Sequence, residues 1–231
     1  MSTPSFIAFS ECRPFITGKR VVIVGSGPGA VLNAIGFIDS HDVVVRVNNY
    51  GHHSNLGNRT DVFYSFFGGS IKKTREELIG DGVRLCMCKC PDAKPIESRW
   101  HEQNGRERGV DFHYIYEDRK DFWFCPTFVP DSLHFLQGFK LLGNHVPTTG
   151  FSAILDIAAL QPKSLHLTGF DFFSSGIHNL NQAWRPGDPR DPIGHVPERE
   201  AEYLRLALQA KTWPFPVTMD AAMRKAMEAI R

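Results

Sequence analysis

The stretch that decides the fold is residues 20–30, which read Arg-Val-Val-Ile-Val-Gly-Ser-Gly-Pro-Gly-Ala (RVVIVGSGPGA). Its four consecutive β-branched residues predict a buried strand, and the glycines that follow predict a tight turn. The next apolar residues recur with helical spacing, at Val31, Leu32, Ile35 and Ile38. A strand, a glycine turn and a helix in this order form an anion site, because free N–H groups at the helix start point at the ligand. The stretch therefore predicts a phosphate or nucleotide ligand.

The same stretch also satisfies the dinucleotide-binding fingerprint, and the second predicted strand tests that interpretation. From Gly25 to Ala30 the spacing is G-x-G-x-x-A. An NAD site places Asp or Glu at the end of the second strand, about 20 residues on, to bind the ribose. Here that strand ends in Arg46-Val47-Asn48-Asn49, with no acid. Because Arg46 suits a 2′-phosphate, an NADP-dependent Rossmann oxidoreductase stays open as an alternative function.

Outward from this stretch, strand patterns alternate with helix patterns along the chain. Val-rich runs without polar alternation are typical of parallel strands that are buried on both faces. The predicted strands are residues 20–24, 42–47, 61–67, 83–88, 112–116 and 164–168, and the predicted helices are residues 132–142, 150–160, 197–211 and a last one from Met219. We therefore predict one α/β domain over residues 1–231, a doubly wound Rossmann-like fold with a mainly parallel sheet and a long loop at 174–194.

Composition excludes several classes of function. The net charge is +1, from 26 basic and 25 acidic residues, which is too small an excess for a dedicated nucleic-acid-binding protein. No apolar run approaches the roughly 20 residues that span a bilayer, and the first residues lack the pattern of a secretory signal. The five cysteines are an odd number without such a signal, which predicts reduced thiols in a cytoplasmic protein.

Three of the cysteines alternate along a predicted strand. Cys86, Cys88 and Cys90 are two residues apart, so we expect them to share one face of the strand. A metal site needs a fourth ligand and a turn between the ligands, and this segment offers neither. We therefore interpret the three thiols as small buried apolar side chains.

Two further segments place polar residues where a doubly wound sheet binds its ligands, at strand ends and helix starts. Thr148 and Thr149 precede a predicted helix, so their hydroxyls can cap it or, with the Gly150 N–H, bind phosphate or ribose. His195 stands just before another predicted helix, where an imidazole is suited to act as a general base. Glu200 lies in the first turn of that helix, where the helix dipole is enough to explain an acidic residue.

Taken together, these segments resemble the CMP-sugar-dependent sialyltransferases of glycosyltransferase families 29 and 42. Residues 21–48 resemble the large sialylmotif, and residues 56–63 resemble the segment that follows it. Residues 147–171 resemble the small sialylmotif, and His195-x-x-x-x-Glu200 matches the very small motif, H-x-x-x-x-E. The four segments occur in the family's order and together cover most of the chain. The resemblance implies a GT-A-like variant of the α/β fold.

The resemblance also implies a role for each matching residue. His195 is the general base, and His178 faces the departing phosphate. Glu200 has a supporting role within the very small motif. The implied nucleotide-binding residues are Gly25, Ser26, Gly27, Pro28, Gly29, Asn48, Ser65, Thr148, Thr149, Gly150, Gly169, Phe170 and Asp171.

The implied function is an inverting glycosyltransferase. It moves sialic acid, or the related ulosonic acid Kdo, from a CMP-sugar to a hydroxyl of an oligosaccharide or glycolipid acceptor. The sequence has no D-x-D element near a strand end, so we predict no metal and no other cofactor. The resemblance further implies a bacterial, cytoplasmic enzyme that associates peripherally with the inner face of the membrane.

The sequence departs from these families at two points. The disulfide that links the large and small motifs of the animal enzymes has no cysteine partners here, which fits a cytoplasmic location. Phe172 and Phe173 stand where family 42 has tyrosines that assist the leaving phosphate, and phenylalanine cannot donate a hydrogen bond. A relative that binds nucleotide but has lost catalysis therefore stays open as a second alternative.

Overall fold

A computed structural model of the chain describes residues 6–51, 54–68, 71–91, 122–174, 177–178, 182–183 and 195–229. The strands of its main sheet are β1 (Phe6–Ile7), β2 (Arg20–Val24), β3 (Val43–Val47), β4 (Val62–Ser65), β5 (Leu85–Cys88), β6 (Thr127–Phe128), β7 (Ser164–Thr168) and β10 (Val217–Met219). A separate antiparallel ribbon pairs the backbones of β8 (Ile177–His178) and β9 (Gln182–Ala183). Within the described ranges the α-helices are α1 (Arg13–Ile16), α2 (Arg75–Gly80), α3 (Ser132–Leu141), α4 (Thr149–Ala159), α5 (Pro197–Gln209) and α6 (Ala221–Ala229).

The order of strands across the main sheet is β1-β6-β5-β4-β3-β2-β7-β10, and every pair is parallel. From β2 the chain builds one side of the sheet through β3, β4 and β5, and it then returns to the other side of β2 for β7. The carboxyl ends of β2 and β7 are neighbours, since Val24 pairs with Thr168. Open parallel sheets bind their ligands at such a reversal of strand order. The prediction of a doubly wound α/β fold with a mainly parallel sheet is confirmed.

Alternate side chains of the central strands pack on opposite faces of the sheet. Val21 and Ile23 pack on one face with α4, α5 and α6. Val22 and Val24 pack on the other face with Ile38. Farther along that second face, β4 and β5 pack against α2 and α3. The central strand is thus buried on both faces, as its continuous apolar run predicts.

Most predicted elements form, with ends that shift by no more than two residues. The strands predicted at residues 42–47, 61–67 and 83–88 are β3, β4 and β5. Cys86, Cys88 and Cys90 are all buried in the apolar cluster that β5 forms with α2 and α3, so the prediction that they share one face is confirmed. The strand predicted at residues 112–116 lies outside the described residues, as does most of the loop predicted at 174–194.

The helix predicted after the glycine turn is wrong. The chain forms two short 3₁₀ segments there, Pro28–Leu32 and Ile38–Ser40. Leu32 and Ile35 are 75% and 76% exposed, whereas Ile38 is fully buried. The apolar residues with helical spacing therefore do not share one buried face.

Asn33 and Gly36 explain why no α-helix forms. The side-chain amide of Asn33 donates to the O of Ala30 (2.7 Å) and to Oγ1 of Thr168 (2.8 Å). The backbone of Asn33 adopts an extended conformation. Such local side-chain bonds compete with the helix for backbone partners. Three residues later Gly36 takes a φ of +80°, a left-handed conformation that ends any helical path.

Helix α4 is fixed to the sheet by a buried carboxylate. Asp156 accepts a hydrogen bond from the Tyr64 hydroxyl on β4 (2.6 Å), and its other oxygen lies 2.7 Å from Nε2 of His134 on α3. Burial acts to lower the pKa of His134, but the hydrogen bond to Asp156 and its negative charge outweigh burial, so the pKa is raised. These contacts join α3 and α4 to β4 of the sheet.

Candidate nucleotide-binding and catalytic site

Four of the residues predicted to bind nucleotide lie at the carboxyl ends of four neighbouring strands. Gly25 follows β2, Asn48 follows β3, Ser65 ends β4 and Gly169 follows β7. Because these strands are adjacent and parallel, the four positions form one row along a single edge of the sheet. The fold therefore brings together residues that are far apart in the sequence.

The turn after β2 packs directly on the turn after β7. The N–H of Gly25 donates to the O of Thr168 (2.8 Å), and the N–H of Gly27 donates to the O of Gly169 (2.8 Å). A Cβ at Gly25 would overlap the O of Gly169, and a Cβ at Gly27 would lie 2.8 Å from the same atom. Glycine is required at both positions because two backbones approach each other closely.

These contacts correct the prediction that free N–H groups at a helix start bind the phosphate. The N–H groups of Gly25 and Gly27 are used within the fold. The segment that follows is a five-residue 3₁₀ stretch, not an α-helix with a sizeable dipole. Ser26 and Pro28 are half-buried in this turn, and their role in binding nucleotide stays a prediction.

Phe170 joins the start of α4 to the two turns. A Cβ at Gly150 would lie 2.6 Å from Cε1 of the Phe170 ring, and a Cβ at Gly25 would lie 3.0 Å from the same ring atom. The predicted residues Gly25, Gly150, Gly169 and Phe170 therefore form one contact cluster at the reversal of strand order.

Asn48 ends β3 in a left-handed conformation, with a φ of +53°. Its Oδ1 accepts hydrogen bonds from the Ser65 hydroxyl (3.1 Å) and from the N–H of Phe66 (3.4 Å). The Ser65 hydroxyl also accepts a bond from the N–H of Phe67 (3.0 Å). With Oδ1 held by β4, the Nδ2 group of Asn48 is the one suited to donate to a ligand. No residue in the described ranges accepts a hydrogen bond from it.

Thr148 caps α4 and also binds Glu200 of α5. Its Oγ1 accepts a hydrogen bond from the N–H of Phe151 (3.1 Å) and donates to Oε2 of Glu200 (2.7 Å). The backbone N–H of Thr148 donates to Oε1 of Glu200 (2.5 Å), and Glu200 is only 2% exposed. The helix dipole alone does not explain Glu200, because its carboxylate is buried and holds the start of a second helix.

His195 is held by the same segment. Its Nδ1 lies 2.7 Å from the O of Val146. Because a carbonyl oxygen can only accept, Nδ1 carries the hydrogen, and Nε2 of the neutral ring has the lone pair. The two ends of the H-x-x-x-x-E motif thus bind residues 146–148 at two points, His195 at Val146 and Glu200 at Thr148.

Burial raises the pKa of Glu200 to about 7. The two hydrogen bonds from Thr148 and the positive charge of Lys89 act to lower the pKa, and the negative charge of Glu198 acts to raise it. The ordinary value is 4.5, so between pH 4.5 and about 7 the folded protein binds more protons than the unfolded chain. Stability that depends on protonated Glu200 is complete below pH 4.5 and is lost as the pH rises through about 7.

Replacing Glu200 with glutamine is expected to change how stability depends on pH. Above pH 7 the wild-type protein buries a carboxylate, whereas glutamine is neutral at every pH. The stability of Glu200→Gln relative to wild type should therefore rise between pH 5 and pH 8, by up to about 3 kcal/mol. Urea unfolding at both pH values measures this difference. Glu202→Gln, at an exposed position of the same helix, should leave the pH profile unchanged; parallel profiles for wild type and Glu200→Gln would contradict the raised pKa.

Arg46 is not positioned to bind a 2′-phosphate, which corrects the basis of the NADP alternative. The residue is fully buried. Its Nε donates to the O of Arg59 (3.1 Å), and its Nη2 donates to the O of Leu56 and to the O of Gly57 (3.3 Å). The guanidinium therefore holds the turn before β4. Because it is fully buried there, it is not available to bind the 2′-phosphate of a cofactor.

Asp220 is a residue of this edge that the sequence did not reveal. Its Oδ2 accepts hydrogen bonds from the N–H of Gly169 (2.7 Å) and from Oγ1 of Thr168 (2.9 Å), and its Oδ1 accepts one from the N–H of Met223 (2.8 Å). A Cβ at Gly29 would lie 2.9 Å from Oδ2. Asp220 thus holds the start of α6 against the turns that follow β2 and β7. A lone Asp before a helix signals a cap and nothing more.

The other predicted residues have simpler positions. Thr149 and Asp171 are buried at the same edge. The backbone of His178 lies in β8, but its side chain lies outside the described residues, as do residues 184–194. The predicted roles of these residues stay predictions.

Solved structures share this fold. A CMP complex of a variant of the sialyltransferase CstII matches with a TM-score of 0.56 at 16% identity, over 86% of this chain and 80% of that chain. CstII from Campylobacter jejuni, in complex with the substrate analogue CMP-3FNeuAc, matches with a TM-score of 0.50 at 17% identity, over 86% and 80% of the two chains. The monofunctional α-2,3-sialyltransferase Cst-I from Campylobacter jejuni matches with a TM-score of 0.54 at 18% identity, over 96% and 80%.

These matches define the fold class of the chain. No protein-family model matches it, and no curated protein matches it in sequence. The prediction of an α/β fold like that of the sialyltransferases is confirmed, since the shared structure covers most of both chains. In the part of the chain that the structure describes, no helix has the length and apolar character to cross a membrane.

Proposed function

We propose that the protein is an inverting glycosyltransferase that moves sialic acid, or a related ulosonic acid such as Kdo, from a CMP-sugar to an acceptor hydroxyl. The observation that carries the proposal is the contact between the H-x-x-x-x-E motif and residues 146–148, where the segment that resembles the small sialylmotif begins. His195 binds Val146 across 49 residues of sequence, and Glu200 binds Thr148 across 52. Both contacts lie where an open parallel sheet binds its ligands. The shared fold of CstII, solved with CMP, supports a CMP-sugar as the donor class.

In the proposed reaction His195 removes the proton from the acceptor hydroxyl. Val146 holds Nδ1–H, so Nε2 takes the proton, and the imidazolium keeps its hydrogen bond to Val146. The acceptor oxygen attacks the anomeric carbon from the face opposite the phosphate. The bond between that carbon and the phosphate oxygen breaks, and CMP leaves with the electron pair. Attack on the opposite face inverts the configuration.

The donor would lie along the row of strand ends. Nδ2 of Asn48 would donate to the ribose or the phosphate, and the cytosine would lie near Gly169 and Phe170. Phe172 and Phe173, both with left-handed backbones (φ +50° and +59°), cannot donate hydrogen bonds to the departing phosphate. We therefore propose His178 as the group that faces this phosphate.

Separate incubations with CMP-sialic acid and CMP-Kdo test the proposed function. We expect release of CMP from one of the two donors, together with transfer of its sugar to a glycan acceptor. CMP at about 100 times its dissociation constant should also raise the unfolding midpoint by about 5–10 °C. NADP binding without CMP binding would contradict the proposal.

The inactive relative is a second candidate because of Phe172 and Phe173, which remove two possible hydrogen-bond donors from the leaving phosphate. It predicts that CMP binds with ordinary affinity, while neither CMP-sialic acid nor CMP-Kdo releases CMP, with or without acceptor. The same two incubations therefore separate an active transferase from a nucleotide-binding protein.

Asn48→Gly is expected to weaken CMP binding about 10–100-fold while the protein stays folded. Glycine adopts the φ of +53° without strain, so the variant removes the amide and leaves the backbone path. A hydrogen bond to a charged group contributes about 1.5–3 kcal/mol. Titration calorimetry measures the loss. The control is Gln161→Gly, which removes an exposed amide at a left-handed position (φ +54°) before β7, and it should bind CMP like wild type. Equal affinity of both variants would remove Asn48 from the donor site.

A further inference from the structure

Lys89 is a buried lysine on the edge of the sheet that carries the candidate site. It directly follows β5, and the residue is 3% exposed. Its backbone N–H donates to the O of Ser65 (2.9 Å), and the Ser65 hydroxyl donates to Asn48 (3.1 Å). Lys89 therefore extends the row formed by Asn48 and Ser65 by one more strand.

The charge of Lys89 also acts on the other half of the site. It lowers the pKa of Glu200, whose carboxylate binds Thr148 at the start of α4. Lys89 thus begins beside Ser65, and its charge reaches Glu200 on α5, the helix that follows His195. It connects the residues proposed to hold the nucleotide with those proposed to hold the base.

The negative charge of the proposed donor is a reason for a buried cation at this edge of the sheet. A CMP-linked ulosonic acid has two negative charges, one on the phosphate and one on the sugar carboxylate. The edge that would receive it already contains the buried acidic residues Asp171 and Glu200. An anion placed beside buried carboxylates is repelled unless a cation accompanies it. An ammonium group has three N–H donors for a phosphate or carboxylate oxygen.

We propose that Lys89 is a donor-binding residue whose ammonium group contacts an oxyanion of the CMP-sugar, on the phosphate or on the sugar carboxylate. The inference rests on the proposed function, and it adds a cation to the residues proposed to bind the donor. A lysine after an apolar strand is ordinary in a sequence, because most lysines are exposed. Its burial beside Ser65 is the feature that distinguishes Lys89 from a lysine at a solvent-exposed strand end.

Calorimetric titration with cytidine, CMP and a CMP-sialic acid analogue tests the inference. Lys89→Met keeps the aliphatic stem and removes the charge. If Lys89 contacts the phosphate, Lys89→Met should bind both CMP and the analogue about 10–100-fold more weakly than wild type. If it contacts the carboxylate, only the analogue should lose affinity. In both cases cytidine should bind within about threefold of wild type, and Lys89→Arg should regain most of the lost affinity.

Two controls separate ligand contact from structural effects. Lys73→Met removes another buried lysine, whose Nζ lies 3.4 Å from Asp81, and should leave CMP affinity unchanged. In the Glu200→Gln background, Lys89→Met should still weaken binding; no further effect there would mean that Lys89 acts only through Glu200, and would overturn the inference. Circular dichroism checks folding, and Lys89→Gln replaces any Lys89→Met protein that does not fold.

The outcomes also distinguish this inference from the proposed function. Wild-type affinity of Lys89→Met for CMP and for the analogue overturns the role of Lys89 and leaves the proposed function intact. Failure of the wild-type protein to bind CMP or the analogue overturns the proposed function, and the inference falls with it.

Discussion

Alanine in place of His195 is expected to lower sugar transfer from a CMP-sugar by about 10²–10⁴-fold. The loss has one cause: without Nε2 no group takes the proton from the acceptor hydroxyl as it attacks the anomeric carbon. The donor is proposed to lie along the strand ends at Asn48 and Gly25, so its binding should not change. We therefore expect kcat to fall while KM for the donor stays within about threefold of wild type. Release of CMP in the presence of acceptor measures both constants.

The matched control for this variant is His41→Ala. His41 also places Nδ1 near a backbone oxygen, 3.1 Å from the O of Phe37, but it precedes β3 and so lies at the opposite edge of the sheet. This control removes an imidazole of similar setting without touching the candidate site, and it should keep wild-type activity. Transfer by His195→Ala within about tenfold of wild type would rule out His195 as the general base.

The fold could be predicted from the sequence where burial alone determines the element. The apolar run at residues 20–24 forms a strand that is buried on both faces, as its pattern predicts. The apolar spacing after the glycine turn predicted an α-helix that does not form. Hydrophobic periodicity carries no information about a competing side-chain hydrogen bond such as that of Asn33 to Thr168. That partner is 135 residues away in the chain, so no local pattern contains it.

Short elements were also beyond the reach of the sequence. β1 and β6 have two residues each, too few to show any periodicity. They form because they pair with each other and because β6 also pairs with β5. Helix α2, by contrast, begins with a capping box formed by Thr74 and Glu77, which is a readable signal. It could have been predicted from those two residues.

The candidate site divides in the same way. The H-x-x-x-x-E spacing selects His195 and Glu200, but it does not show that they bind the same three residues of another segment. Lys89 and Asp220 belong to no sequence motif. Lys89 is identified as a candidate site residue by its burial, and Asp220 by its hydrogen-bond partners. Residue type and spacing indicate which chemistry is present, whereas the fold determines which groups are left to perform it.

The glycine turn gives the second prediction with a large effect. Gly25→Ala is expected to lower the free energy of unfolding by about 1–3 kcal/mol. Its new Cβ would overlap the O of Gly169 and crowd the Phe170 ring, and backbone atoms cannot move aside as a flexible side chain does. The two turns would have to separate, which would break the bond from Gly27 to Gly169. For a chain of 231 residues the unfolding midpoint should fall by about 2–4 °C per kcal/mol.

The same variant distinguishes two reasons for glycine at this position. If Gly25 serves the contact between the turns, the ligand-free protein is destabilised, and CMP binding weakens at least tenfold because Asn48 and Phe170 lose their fixed spacing. If Gly25 serves only the approach of a phosphate, CMP binding is lost and the ligand-free protein melts like wild type. Gly51→Ala is the control, because a Cβ there meets nothing within 4 Å. An unchanged unfolding midpoint for Gly25→Ala would contradict the explanation that glycine is needed for contact between the two turns. It would favour a direct role of the turn in binding the phosphate.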